Sequence, residues 1–150
     1  MSEDVILNYY EDIEVGQTAV FAKTITEADI LMFSGVSGDT NPVHLNAEYA
    51  ESTMFKGRIA HGMLSAALIS TVFGTKLPGP GCIYVGQSLK FKAPVRPGDT
   101  VTAVVECTAK ADAKKFCTFK TVCTVRGKTV IDGEATLMVP SRAAITVAAE

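Results

Sequence analysis

A chain of 150 residues that is 47% hydrophobic and 20% charged suits one domain around a single core and is too short for two. Fourteen basic against sixteen acidic side chains leave a formal charge of −2, without the basic excess of a nucleic-acid surface, so nucleic acid is not expected as a partner. The most apolar stretch, Ile59 to Val72, falls short of the roughly 20 residues a membrane-spanning helix needs and contains His61 and two serines, so no membrane partner is expected either.

In chain order, the acidic opening MSEDVILNYYEDIEVG lacks the charged-then-apolar layout of a leader peptide, which makes the cytoplasm the expected location. Val15 to Thr24 reads as a first strand. Thr26, with Asp29 three positions on, then caps a helix through ADILMFSG that should stop near Gly35 or Gly38. The run SGDTNP is rich in turn formers, and a short helix follows over Ala47–Thr53 with Asn46 as its cap. After a KGR loop comes HGMLSAALISTVFGTKLPGPG, a helix apolar on most of its sides, which therefore has to be surrounded. Pro78–Gly81 closes it as a turn; no Lys-Ser/Thr follows, as a phosphate cradle would require.

Four strands are predicted next, at Cys82–Phe91, Thr100–Thr108, Lys115–Val125 and Thr129–Val139. Turns at Arg96–Asp99, Lys110–Lys114 and Arg126–Lys128 make sequential hairpins of them, hence an antiparallel sheet. A long apolar helix with such a sheet argues for an α+β domain in which the sheet curls around the helix. No repeat or low-complexity stretch divides residues 1–150, and only the tail after Pro140 reads as peripheral. Cys82, Cys107, Cys117 and Cys123 form no C-x-x-C pair, and two histidines are too few for a Cys/His zinc cage, so reduced thiols and no metal site are expected.

The chemistry is concentrated between Gly38 and Ser70. Gly38-Asp39-Thr40-Asn41-Pro42-Val43-His44 brings a carboxylate, an amide and an imidazole into six positions, and Pro42 keeps Asn41 out of helical geometry, so the segment is a shaped loop. Two readings stand: an ordinary turn in which Asp39 and Asn41 bond their own backbone, or a loop aiming an acid and a proton shuttle inward. His61 and Gly62 open the apolar helix. Free amides there, with the helix dipole behind them, can stabilise a developing negative charge, or Gly62 is simply small enough for close packing.

These residues resemble a known family. Phe33 to His44, followed by Gly57-Arg58-Ile59-Ala60-His61-Gly62-Met63, is similar to the hydratase-2 motif of the MaoC-like (R)-specific 2-enoyl-CoA hydratases, and the likeness runs from EDIEVGQ (Glu11–Gln17) through YVGQSLKFKAPVRPGD (Tyr84–Asp99) to about Val139. The resemblance implies a hot-dog fold, an antiparallel sheet wrapped around a long central helix, in a homodimer with its sites near the subunit interface. It implies reversible syn hydration of a trans-2-enoyl-CoA to an (R)-3-hydroxyacyl-CoA in fatty acid metabolism, with Asp39 and His44 as the catalytic pair and coenzyme A as part of the substrate, so that no separate cofactor is expected. Asn41 would orient substrate or water, the Gly62 amide would hold the thioester oxygen, and Ser70 would hydrogen-bond the catalytic aspartate. Alternatives inside the fold are an (R)-3-hydroxyacyl-ACP dehydratase and a hydratase of branched or dicarboxylic acyl-CoA. A hot-dog thioesterase is disfavoured because no Asp or Glu lies between Ile59 and Lys76, and a non-catalytic acyl-CoA-binding module would leave Asp39, Asn41 and His44 without a purpose. Lys56 and Arg58 could meet coenzyme A phosphates, although a solvated loop explains them better.

Overall fold

The computed structural model describes residues 7–143. A strand β1 (Thr18–Thr24) leads into helices α1 (Glu27–Ser37), α2 (Pro42–Leu45), α3 (Ala47–Ser52) and α4 (Gly62–Thr75), followed by strands β2 (Ile83–Phe91), β3 (Thr100–Ala111), β4 (Phe116–Val125) and β5 (Lys128–Met138). The strands form one antiparallel sheet in the order β1-β3-β4-β5-β2. Among the described residues no helix is long and apolar enough to cross a membrane.

The sheet's inner face and α4 share the core. Alternate residues of β3 and β4 point inward, bringing Val101, Ala103, Val105, Phe119 and Cys123 against Leu68, Ile69, Val72 and Phe73 of the helix. Phe73 meets Phe119 edge-on, with ring centroids 5.1 Å apart. All four cysteines are free, as the sequence suggested. The sheet covers only one side of α4. Met63, Ala67, Ser70 and Gly74 form an exposed stripe along it, so the helix that should be surrounded is half-covered within one chain.

Three local expectations change. Residues 42–45 form a one-turn helix where a loop was expected, because Pro42 suits the first position of a helix and Asn41 supplies its cap. Strand β3 continues to Ala111, into the expected hairpin loop. The third change concerns topology: the Arg96–Asp99 turn does not join paired strands. Strand β2 pairs with β5, while β3 pairs with β1 and β4. The turn exists, with Asp99 accepting from the Arg96 amide at 2.8 Å, but it docks on the end of β1 through Ile25 and Gly98. Local turn chemistry specifies a reversal and says nothing about which strand lies alongside.

The start of the tail is anchored, since Ser141 is buried and donates to Glu11 while Arg142 pairs with Asp12 at 2.6 Å. Residues 144–150 of the expected peripheral segment lie outside the described residues. Close contact between β2 and β5 depends on Gly133, where an added Cβ would lie 1.9 Å from the Ser88 carbonyl oxygen. Gly133→Ala should therefore cost about 3 kcal/mol, the upper part of the range for over-packing. Gly35→Ala, in α1 with nothing near the added methyl, should gain roughly 0.5–1 kcal/mol. Urea unfolding of the two variants checks both signs.

Candidate active site

The loop that carries Asp39 is shaped by the end of α1. Thr26 and Asp29 form the expected capping box, and Lys23 beside Asp29, with the Thr26 amide, holds that carboxyl down to about 2. At the other end Gly38 takes φ +76°, a left-handed cap whose N–H reaches the Ser34 carbonyl. The chain therefore turns sharply just before Asp39. Asp39 Oδ1 accepts from the Asn41 amide at 3.2 Å, and Asn41 Oδ1 accepts from the Val43 amide at 3.2 Å. The ordinary-turn reading is thus correct for the backbone, and the turn it describes is what seats His44 on α2.

His44 is buried, with its Nδ1 2.8 Å from the Ile59 carbonyl oxygen. A carbonyl can only accept, so Nδ1 carries the proton and Nε2 keeps a lone pair. His61 is buried as well; its Nε2 lies 3.0 Å from the Asp39 carbonyl and 3.2 Å from Ser34 Oγ, so this nitrogen is the donor and Nδ1 is left buried with no partner. The two imidazoles stack with centroids 3.8 Å apart, and Phe33 flanks His61 at 4.9 Å. One Asp39 carboxylate oxygen and one nitrogen from each ring lie within 4.8 Å of one another.

Beside this cluster is a cavity of about 490 Å³, apolar along Phe55, Ile59, Phe91 and Val95 and polar at Asp39, His61, Gly62 and Ser65. No side chain caps α4. The amides of Leu64 and Ser65 turn back to the His61 carbonyl, which leaves those of Gly62 and Met63 as the open donors of the first turn. Gly62 meets the close-packing reading as well, because an added Cβ would sit 2.6 Å from the Phe91 ring.

Ser70 is placed elsewhere. It lines a second groove of about 440 Å³ with Phe33, Met63 and Tyr84, and among the described residues no hydrogen bond joins it to Asp39. At 3.6 residues per turn, positions three and eight beyond Gly62 are about 140° apart around the helix. Ser65, not Ser70, therefore faces the cavity, with its hydroxyl buried and unpartnered. Its i, i+3 relation to Gly62 was the available signal.

The cavity wall is stapled by Arg96, whose guanidinium donates to the Phe55 carbonyl and, at 3.4 Å, to that of Arg58. Burial disfavours the charge on Asp99, but the Arg96 amide and the Arg126 guanidinium prevail and hold its carboxyl below the ordinary range. Arg58 is paired with Glu27 of α1, while Lys56 is exposed. Burial pushes the Cys117 and Cys123 thiols up to about 12, so neither is a nucleophile at neutral pH.

The MaoC-like domain family matches residues 12–131. The chain belongs to the MaoC-like family. An (R)-specific enoyl-CoA hydratase of Rhodospirillum rubrum is 65% identical over 141 residues, 94% of this chain and 98% of that protein. A 3-hydroxybutyryl-CoA dehydratase of Methylorubrum extorquens is 44% identical over 134 residues, 89% of this chain and 85% of that one. Among solved structures, the unliganded R-hydratase PhaJ1 of Pseudomonas aeruginosa superposes with a TM-score of 0.86 at 48% identity, covering 92% of this chain and 89% of that one. This MaoC-like protein has the expected α+β hot-dog fold, with α4 as its central helix.

In the MaoC-like chain the Ile59 carbonyl that orients His44 belongs to the loop Arg96 holds. Arg96→Met should speed hydrogen exchange at amides 55–60 by more than about 10-fold, corresponding to charged hydrogen bonds of about 1.5–3 kcal/mol, with the β3–β5 amides unchanged; exchange read by mass spectrometry checks it.

Proposed function

We propose that this MaoC-like protein is an (R)-specific enoyl-CoA hydratase, adding water reversibly to a trans-2-enoyl-CoA to give the (R)-3-hydroxyacyl-CoA. One observation carries the reading: Asp39, His44 and His61 cluster beside the open amides of a buried helix, and Asp39, His61 and Gly62 line an apolar cavity. Water alone is too weak a nucleophile for C3. Held between Asp39 and His44 Nε2, it gives up a proton to the pair as its oxygen bonds to C3. The electron pair of the double bond shifts toward the thioester oxygen, where the Gly62 amide, fixed at the positive end of α4, stabilises the charge. The proton held by the pair is then delivered to C2 on the same face, and both residues end as they began. Asn41 acts in this scheme by holding α2, and so His44, in place. No metal or separate cofactor enters it.

The acting unit in this proposal is a homodimer. Edge strand β2 has one partner in the sheet and exposes Ile83, Tyr84, Val85 and Phe91, and the uncovered stripe of α4 lies along the same groove. A second copy pairing there would remove an unprotected edge from solvent and cover Ser70. Four free thiols support a cytoplasmic location.

Asp39→Asn and His44→Ala should each lower turnover on crotonyl-CoA by about 10²–10⁴ without altering the fold. Loss of enoyl absorbance, with chiral analysis of the product, reads this out. Near-normal hydration by a folded Asp39→Ala protein refutes the assignment, and release of free thiol in its place indicates thioester cleavage.

A further inference from the structure

Each imidazole in the site has one nitrogen occupied by a backbone carbonyl and the other left over. His44 Nδ1 is held by Ile59 at 2.8 Å and His61 Nε2 by Asp39 at 3.0 Å, so His44 Nε2 and His61 Nδ1 keep in-plane lone pairs. A carbonyl behind the ring that sets tautomer and orientation is how proteins prepare histidines to bind metals. The His61 nitrogen is conspicuous because the residue is 2% exposed and its Nδ1 has no partner among the described residues, a state that is costly unless something supplies a donor or a cation. The proposed hydration scheme does not use it.

From this geometry we infer that Asp39, His44 and His61 bind a divalent transition-metal ion, typified by zinc, which reversibly blocks the reaction. Two nitrogens and one carboxylate oxygen suit zinc and cobalt, whereas magnesium and calcium take oxygen ligands. One ring nitrogen of each histidine and one Asp39 carboxylate oxygen lie within 4.8 Å of one another. Bonds of about 2.0–2.1 Å in a tetrahedron require them to be about 3.4 Å apart. Asp39, exposed and held only at Oδ1 by the Asn41 amide, can swing to close the difference, and the fourth position opens on the cavity that Asp39 and His61 line. Bound there, the ion occupies the two groups that would handle water. The inhibitory effect rests on the proposed hydration; binding does not. The site differs from a Cys/His cage in using no thiolate ligand.

The test is calorimetry on the metal-free chain with zinc, cobalt and magnesium, alongside crotonyl-CoA hydration. One zinc per chain, inhibition reversed by a chelator, intense visible bands of four-coordinate cobalt and indifference to magnesium support the inference. His61→Gln and Asp39→Asn should each weaken zinc binding on the order of 100-fold or more, since even losses behind the ligands cost about 10–100-fold. No saturable zinc binding, weak six-coordinate cobalt bands, or unchanged affinity in both variants, meaning capture by the thiols, overturns it. Hydration that proceeds untouched by zinc overturns this inference alone. Zinc binding with the cobalt bands but no hydration by the metal-free chain supports the site and overturns the hydratase reading.

Discussion

The arrangement of the site depends on one hydrogen-bonded side chain, the imidazole of His61. It stands at the junction of three segments: it opens α4, its Nε2 reaches Ser34 on α1 and the Asp39 backbone, and its face lies on His44 from α2. Buried at 2% exposure, it has no water to compete for these bonds. The loop that carries the acid is thereby tied to the start of the helix that carries the open amides, and the distance between them does not rest on the loop's own conformation.

The rest of the fold supplies rigidity behind that junction. Strands β3 and β4 pack on α4 through Val105, Phe119 and Cys123, and the chain leaving β2 brings Arg96 under the 55–60 loop. Because the Ile59 carbonyl that orients His44 belongs to that loop, the tautomer of a histidine is set by a residue 52 positions later in the chain. The β2 exit and the imidazole are thus mechanically coupled. Asp99, in the turn before β3, and Arg126, in the β4–β5 turn, complete the brace.

Uncovered surface makes up the other half of the picture. The stripe of α4 around Ser70 and the outer face of β2 are apolar and open in one chain. A pairing of two copies at β2 would complete the coat of the central helix.

Much was legible in the residues themselves. The Thr26–Asp29 capping box, the Gly38 stop, the Asn46 cap and the apolar run of α4 are short-range patterns whose energies are local, and each stands where its signal placed it. Asp39, His44 and Gly62 were legible as candidate positions, since few residue types can handle protons or leave an amide open. Strand order was not legible: the Arg96–Asp99 turn looks the same whether the next strand lies beside β2 or across the sheet, and pairing energy comes from residues far apart in sequence. Nor were the roles of His61 and Ser65 or the surroundings of Ser70, because a side chain's neighbours around a helix depend on which face the sheet covers. The sequence by itself determined the local conformations and the inventory of reactive groups; only the tertiary structure decided which groups meet, because contact between distant segments is settled by the packing of the whole core and not by any one stretch of it.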